Sequence, residues 1–312
     1  MMKWVFGILA LLALVLGWML LRPEPPVDSP PASERAIPDS AYWTDADRWV
    51  DAAGMTFRVR EEGPGNAPTI VMIHGFSYSL ESFDAWAQAL AETYHVVRFD
   101  LPGHALTGPD PMRRYSVEET VELTSALLDA LGIDQAILVG NSLGGLVAWR
   151  LAAQEPERVE KLVLLAPGGF SINGVTEEPV AVPAAVSFFM TSAPEAMIGA
   201  ASAGLFGDPA RMPQDLPTRV HDLMRQPGVG QALVERLEVF TLPAPEADLA
   251  DVQAPTLILW GELDRMVPAE HGPRFVDAMP SARLELMPGL GHVLHEEAPA
   301  ESLEPVRAFL EN

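Results

Sequence analysis

The chain has 312 residues and no cysteine, and its 43 acidic against 20 basic residues give a formal net charge of −23. Without cysteine it has no disulfide, no thiolate metal site and no cysteine nucleophile. The charge argues against nucleic-acid partners, which need a basic surface, and disfavours strongly anionic ones.

The chain begins with an apolar segment. Residues 4–21 contain neither a charged residue nor a proline. At about 1.5 Å per residue this run makes about 27 Å of helix, close to the thickness of a bilayer core. We therefore predict a single-pass transmembrane anchor over residues 1–22. A cleaved signal peptide is the alternative, although no A-x-A site follows the run.

The charges around this segment bear on its orientation. Lys3 precedes the apolar run, and Arg22, with acidic residues beyond it, follows the run. This bias favours a cytoplasmic N-terminus. The rest of the chain is then expected on the extracytoplasmic side, which is the periplasm in a bacterium with two membranes.

Two further segments separate the apolar run from the regular part of the chain. Residues 23–40 include six prolines and predict an extended, semi-rigid linker. Residues 42–50 contain three aromatic residues, which either anchor the chain at a membrane interface or pack on the domain. The spacing leaves both alternatives open.

Strand and helix patterns alternate from there on, which predicts an α/β fold with a mostly parallel sheet flanked by helices. The predicted strands cover residues 56–61, 69–73, 95–100, 136–140, 161–166, 256–261 and 283–287, and the predicted helices cover 83–92, 117–131, 144–154, 269–279 and 299–310. The alternation stops between residues 169 and 250, where apolar residues have helical spacing. We predict a helical cap there, inserted into a core of residues 41–168 and 251–312.

A possible nucleophile lies between the fourth predicted strand and its helix. The sequence Gly140-Asn141-Ser142-Leu143-Gly144 reads G-x-S-x-G, the pattern of a nucleophile elbow. The sharp turn exposes the serine, and the two glycines allow the backbones to approach without a Cβ clash. The start of the following helix directs N–H groups to the place where an oxyanion would form.

A serine nucleophile needs a base and an acid that orients the base. The apolar run 256–261 leads into a turn with Glu262 and Asp264, and the run 283–287 leads to His292, with His295 three residues later. The order serine, acid, histidine is the order that accompanies this elbow. All candidates follow strands at their carboxyl ends, where open parallel sheets bind ligands.

Together these segments resemble the α/β-hydrolase superfamily, in its branch of capped serine esterases, lipases and C–C bond hydrolases. The similar segments are GNSLGG, LILWGELDRMVP, GLGHVLHEEAP, IVMIHGF and VVRFDLPGHALTG. The resemblance implies the α/β-hydrolase fold, with Ser142 as nucleophile, Asp264 as acid and His292 as base. Asp264 is preferred over Glu262 because the family places its acid two residues after that glutamate.

The resemblance also implies the groups around the triad. The oxyanion hole would be the backbone N–H groups of Leu143 and of Phe76, which follows His74 and Gly75. His74 is then a supporting residue, as are Gly75, Gly140, Asn141 and Gly144. His104 would be structural, and His295 would lie at a helix start.

Two positions depart from the family pattern. Ala105 replaces a customary glycine; if that glycine serves a position with positive φ, either Ala105 is strained or its loop has shifted. Val293 follows His292 where C–C hydrolases of this branch typically have an aromatic residue, whereas Asn141 matches those enzymes.

Three functions remain open at this point. The leading hypothesis is a membrane-anchored serine hydrolase that cleaves apolar carboxylic esters, with no cofactor and no metal ion. The second is a C–C bond hydrolase of the meta-cleavage-product type, and the third is a non-catalytic hydrolase-like binding protein. The expected partners are a small apolar ester and, through the N-terminal helix, a membrane.

The cap segment is rich in methionine and phenylalanine, which adapt to apolar ligands. We expect two or three of these residues to line an acyl pocket and the others to form the core of the cap. The candidates are Phe188, Phe189, Met190, Met197, Phe206, Met212 and Met224.

Overall fold

The computed structural model describes residues 30–311, which form an eight-stranded sheet with flanking helices. The strands are β1 (Asp47–Ala52), β2 (Met55–Glu62), β3 (Thr69–Ile73), β4 (His95–Phe99), β5 (Ala136–Asn141), β6 (Val159–Leu165), β7 (Thr256–Gly261) and β8 (Ala282–Met287). Their order is β1-β2-β4-β3-β5-β6-β7-β8. Only β1–β2 and β2–β4 are antiparallel pairs. The predicted mostly parallel α/β sheet is confirmed.

The helices divide between the two faces of the sheet and the connection from β6 to β7. They are α1 (Asp84–Leu90), α2 (Val117–Ala130), α3 (Leu143–Gln154), α4 (Ala184–Ser192), α5 (Glu195–Ala203), α6 (Leu216–Met224), α7 (Val229–Val239), α8 (Glu246–Ala250), α9 (His271–Ala278), α10 (Leu294–Glu297) and α11 (Pro299–Leu310).

The alternating side chains of the strands supply two separate cores. On β3, Ile70 and Met72 pack with residues of α1 and α11, whereas Val71 and Ile73 pack with residues of α2, α3 and α9. Successive side chains of a strand point to opposite faces, so both faces of this sheet are buried. Because β5, β7 and β8 run parallel to one another, their carboxyl ends lie at the same edge of this sheet.

The segment that the sequence assigns to a cap contains the five helices α4 to α8, and none of its residues 169–250 forms a strand. These helices have a small apolar core of their own, which also includes Tyr78 and Val293 from the strand-end loops. An ion pair adds to this contact, because the guanidinium of Arg219 in α6 lies 2.6 Å from the carboxylate of Glu296 in α10. The helices thus lie over the edge where the candidate site residues emerge.

The aromatic segment before β2 forms an additional strand, β1, that the sequence did not predict. Its pattern of burial follows no strict alternation, so pairing with β2 determines its structure. The carboxylate of Asp47 in β1 accepts hydrogen bonds from Arg60 in β2 at 2.8 and 2.9 Å. The segment's aromatic rings pack on the domain against Ala105, Leu106 and Leu223; they are Tyr42, Trp43 and Trp49.

Residues 30–40, the part of the predicted proline-rich linker that the structure describes, are docked on the core. The N–H of Ala32 donates to the carboxylate of Asp51 at 2.9 Å, and the indole of Trp49 donates to the carbonyl of Ala36 at 3.2 Å. Within the segment, the carbonyl of Pro31 accepts from the N–H groups of Glu34 and Arg35, whereas the carbonyls of Pro30 and Ala36 accept from side chains of the core.

The predicted transmembrane anchor, residues 1–22, and linker residues 23–29 lie outside the described residues. Among residues 30–311, no helix has both the length and the apolar character needed to cross a bilayer.

Candidate active site

Ser142 occupies a sharp turn between β5 and α3. Its backbone has φ 54° and ψ −114°, a conformation that costs a non-glycine residue about 1–3 kcal/mol. Hydrogen bonds hold the turn, because the N–H of Ser142 donates to Leu165 at 3.0 Å and its carbonyl accepts from Gly168 at 3.0 Å. Such strain, kept in place by neighbouring strands, is what a nucleophile elbow requires.

The glycines around Ser142 lie where backbones touch. A Cβ on Gly144 would lie 2.1 Å from the carbonyl oxygen of Ile73, and one on Gly140 would lie 2.3 Å from the carbonyl oxygen of Gly144. Any side chain would therefore push α3 away from the strands. The loop after β3 also comes near the elbow, although less closely, since a Cβ on Gly75 would lie 3.0 Å from the side-chain Oδ1 of Asn141.

His292 and Asp264 form a hydrogen-bonded pair at the ends of two neighbouring strands. Nδ1 of His292 lies 2.8 Å from Oδ2 of Asp264. The other carboxylate oxygen, Oδ1, accepts from the N–H groups of Met266 and Val267 at 2.8 and 2.9 Å. A carboxylate can only accept here, so Nδ1 carries the proton and Nε2 is free to accept one.

Asn141 connects this pair to the elbow. Its amide Nδ2 donates to the carbonyls of Leu165 and of His292, at 3.0 and 3.1 Å. The N–H of His292 in turn donates to Leu205 at 2.7 Å, next to the cap helix α5. Within residues 30–311 no hydrogen bond joins the hydroxyl of Ser142 to His292. Such a contact often tightens only when substrate is bound.

The two rival residues lie apart from this pair. Glu262 is exposed. His295 is buried in α10, as expected for a helix start, and stacks on Phe83 with ring centroids 4.4 Å apart. Burial lowers the pKa of His295 to about 3, which makes it a poor proton acceptor at neutral pH. The structure thus brings Asp264, not Glu262, to His292.

His74 shapes the loop that carries Phe76. Its Nε2 accepts from the N–H of Leu101 at 2.9 Å, so its Nδ1 donates to the carbonyl of Gly75 at 2.8 Å. Burial lowers the pKa of His74 to about 4, which keeps the ring neutral. Through these two hydrogen bonds, His74 connects the candidate oxyanion loop to the backbone that follows β4.

Both candidate oxyanion donors lie beside the nucleophile. Leu143 is the first residue of α3, where N–H groups have no partner within the helix, and Phe76 comes directly after Gly75. Phe76, Ser142 and Leu143 line one cavity. Among residues 30–311, no three histidine or acidic side chains are grouped as metal ligands.

The model of the α/β hydrolase fold family matches residues 68–299 of this chain. The chain belongs to this family. A dihydrolipoyllysine-residue acetyltransferase component of an acetoin cleaving system from Pseudomonas putida is 30% identical over 266 residues, which are 84% of this chain and 68% of the relative. A 2-hydroxy-6-oxo-6-phenylhexa-2,4-dienoate hydrolase from Burkholderia cepacia is 28% identical over 250 residues, 76% of this hydrolase and 85% of the relative.

Solved structures share the fold over most of the chain. A 2-hydroxy-6-oxo-6-phenylhexa-2,4-dienoate hydrolase from Rhodococcus sp. strain RHA1 matches with a TM-score of 0.75 and 20% identity, over 85% of this hydrolase and 98% of that chain. A bacterial membrane phospholipase A matches with a TM-score of 0.70 and 22% identity, over 100% of this hydrolase and 98% of that chain.

A cavity of about 220 Å³ lies in front of Ser142 in the hydrolase. Most of its wall is apolar, and it is lined by Phe76, Ser142, Leu143, Leu146, Gly168, Ile172, Asn173, Val175, Arg236, Leu237, Phe240, Met266 and Val267. The cap segment contributes six of these residues, which are Ile172, Asn173, Val175, Arg236, Leu237 and Phe240. The cavity is thus enclosed by the elbow, the cap segment and the loop that carries Asp264.

The methionine and phenylalanine residues expected to line an acyl pocket do not line this cavity. Met190, Phe206 and Met224 are buried in the core of the cap, and Phe189 and Met212 pack against that core. Phe188 and Met197 are exposed. Composition could not separate these roles, because the cap's own packing decides which faces of its helices turn inward.

Arg236 is a site residue that sequence analysis missed. Its Nη1 donates to the carbonyl of Tyr115 at 3.0 Å and to the hydroxyl of Thr120 at 2.9 Å. Its Nη2 donates to the carbonyl of Pro102 at 2.9 Å, so the residue ties α7 to the core. Burial lowers the pKa of Arg236 to about 10.

Proposed function

We propose that this α/β hydrolase is a serine hydrolase that cleaves carboxylic esters with an apolar acyl part. The observation that carries the proposal is the largely apolar cavity that opens onto Ser142, with Leu143 and Phe76 in its wall. A site of this kind holds an apolar chain and presents two N–H groups to a carbonyl oxygen.

The geometry supports a two-step reaction. The Ser142 hydroxyl attacks the ester carbonyl while Nε2 of His292 takes its proton, and the N–H groups of Leu143 and Phe76 stabilise the oxyanion. His292 then gives the proton to the leaving alcohol. In the second step His292 removes a proton from water, which attacks the acyl-enzyme. His292 then returns this proton to the Ser142 oxygen as the bond to the acyl group breaks and the acid is released. Asp264 keeps His292 in the required tautomer throughout.

C–C bond hydrolysis is the second candidate, and the dienoate hydrolases among the relatives favour it. A dienol carboxylate brings a negative charge that the site must pair. Among residues 30–311, Arg236 is the only cationic side chain in the wall of the cavity, and both of its terminal nitrogens already donate to the protein. Val293, where such enzymes have an aromatic residue, packs in the core of the cap.

The ratio of kcat/KM for p-nitrophenyl hexanoate to that for a 2-hydroxy-6-oxohexa-2,4-dienoate tests this choice. We expect the ester to be the better substrate. Dienoate turnover that exceeds ester turnover a thousandfold would reverse the proposal. If neither substrate reacts and a fluorophosphonate does not label the protein, the chain is a binding protein instead.

Acyl chain length should matter in a predictable way. A cavity of about 220 Å³ holds about seven non-hydrogen atoms if each takes about 30 Å³. Each buried CH₂ adds about 0.8 kcal/mol of binding, or up to about fourfold in kcat/KM. We expect kcat/KM for p-nitrophenyl esters to rise from acetate to about hexanoate and then to level off.

A variant in the cavity wall tests the same point. Leu237→Trp fills part of the cavity, so it should lower kcat/KM for the hexanoate at least about tenfold and leave the acetate nearly unchanged. The matched control is Phe188→Trp, an exposed position of the cap that should alter neither ester. A flat acetate-to-hexanoate profile in the wild type would remove the acyl pocket from the account.

We also propose that residues 1–22 anchor the hydrolase to a membrane, with the catalytic domain on the extracytoplasmic side. The uncharged run of residues 4–21 supports this. Full-length protein should resist carbonate extraction from membranes and keep its starting mass, and a chain that begins at residue 30 should be extracted. The truncated protein lacks only residues 1–29, because residues 30–40 pack on the core. A mature N-terminus near residue 25 would indicate a cleaved signal peptide.

A further inference from the structure

Arg35 lies in the docked segment before β1, far along the chain from the candidate catalytic residues. Its Nη1 donates to the carbonyl of Thr56 at 3.1 Å, and its Nη2 donates to the carbonyls of Leu106 and Thr107 at 3.1 and 3.0 Å. Its guanidinium also stacks on Trp49, 3.9 Å from the ring centroid. One side chain thus joins the docked segment, β2 and the turn after β4.

The turn that Arg35 holds contains a strained residue. Ala105 has φ 44°, the left-handed region that costs an alanine about 1–2 kcal/mol. The next two carbonyls are those that accept from Arg35. From inside the core, Oδ2 of Asp100 accepts from the N–H of Leu106 at 3.2 Å. The backbone of the turn closes on itself, since the N–H of Gly108 donates to the carbonyl of His104 at 3.0 Å. Arg35 and Asp100 add hydrogen bonds from its two sides and so help to hold the strained conformation of Ala105.

The same turn supports the candidate oxyanion loop. His104 directly precedes Ala105, and its ring edge lies against Phe76 and His74, with centroids 5.9 and 5.2 Å apart. His74 in turn donates to the carbonyl of Gly75, next to Phe76. A shift of the turn would thus move the ring of His104, which lies against both Phe76 and His74.

We propose that Arg35 is a positioning residue that holds the turn at Ala105 and, through His104, fixes the backbone N–H of Phe76 for the oxyanion. The proposal rests on the proposed function, because it assigns Phe76 to the oxyanion hole. The turn residues 104–108 do not line the cavity, so loss of Arg35 should weaken transition-state stabilisation and not substrate binding.

The first test is Arg35→Ala in the full-length chain, assayed with p-nitrophenyl hexanoate. Removal of one oxyanion donor lowers kcat about a hundredfold or more, and a donor that is only misplaced should lower it less. We therefore expect kcat to fall about tenfold with KM unchanged. Affinity for an alkyl boronic acid, which forms a tetrahedral adduct, should fall equally, and affinity for hexanoic acid should not. Arg48→Ala, which breaks only an exposed ion pair with Glu61, is the matched control and should keep the wild-type kcat.

The second test is rescue. Glycine adopts the left-handed conformation without the Cβ penalty, so in Ala105→Gly the conformation of the turn should depend less on the hydrogen bonds of Arg35. In the Arg35→Ala background it should recover at least half of the lost kcat. Wild-type kcat in Arg35→Ala, or no recovery in the double variant, would overturn the proposal. If Arg35→Ala does not fold, Arg35→Lys, which keeps the cation but cannot reach three carbonyls, should show a smaller loss of kcat.

A third readout does not depend on activity. Hydrogen exchange at the amides of Leu106 and Gly108 should be faster in Arg35→Ala than in Arg48→Ala, because the turn loses the hydrogen bonds from Arg35 to the carbonyls of Leu106 and Thr107. If the wild type hydrolyses no ester, the proposed function fails while exchange still tests whether Arg35 holds the turn. If the wild type is active and exchange and kcat are unchanged in Arg35→Ala, only the role of Arg35 fails.

Discussion

Ser142→Ala should lower kcat for p-nitrophenyl hexanoate by about a thousandfold or more, because the hydroxyl that forms the acyl-enzyme is gone. The fold should be unaffected, since Ser142 is held in the elbow by hydrogen bonds of its backbone N–H and carbonyl, which alanine keeps. Ser142→Gly should inactivate equally and raise the melting temperature, because glycine adopts φ 54° without strain. Steady-state kinetics and thermal unfolding of both variants check this expectation.

Ser125→Ala is the matched control for these variants. Ser125 lies in α2, and its hydroxyl donates to Glu155 at 3.0 Å, away from the cavity. Its removal should leave kcat unchanged. Near wild-type turnover by purified Ser142→Ala would rule out this serine as the nucleophile.

Asp264→Asn should lower kcat by roughly a thousandfold or more with little change in structure. The asparagine oxygen can still accept from the N–H groups of Met266 and Val267, as Oδ1 of Asp264 does. Its NH₂ group would then face Nδ1 of His292 and force that nitrogen to accept. The proton would move to Nε2, where the base has to be free.

Glu262→Gln is the matched control, because it makes the same chemical change two residues earlier. Glu262 is exposed, so this variant should retain the wild-type kcat. Crystal structures or chemical shifts of His292 in both variants would show which nitrogen carries the proton. An inactive Glu262→Gln with an active Asp264→Asn would mean that the acid is wrongly assigned.

Local sequence patterns predicted the core of the fold well. Each predicted strand is present, with ends that differ by at most two residues, because apolar runs bounded by turn residues leave few alternatives for a buried strand. Ala105 was expected to be strained if it replaced a glycine with positive φ, and it has φ 44°. Asp264 and His292 follow the neighbouring parallel strands β7 and β8, and this placement brings the two side chains within hydrogen-bonding distance.

Contacts between distant segments could not be predicted in the same way. The docked segment depends on Arg35 reaching carbonyls 71 and 72 residues away, which no local pattern indicates. The cavity wall depends on how the cap packs, and Leu237 and Phe240 face Ser142 while the phenylalanines of α4 do not. Tertiary packing decides both features.

Labelling with a fluorophosphonate that carries a hexyl group tests the central claim most directly. The reagent forms a stable tetrahedral adduct only with a serine that a base activates and an oxyanion hole supports. We expect one label per chain, located by peptide mass spectrometry on Ser142, with loss of ester hydrolysis in proportion to labelling. Labelling should be abolished in Ser142→Ala and strongly slowed in Asp264→Asn. Loss of hydrolysis with the label on another residue, or full hydrolysis by labelled protein, would contradict the account.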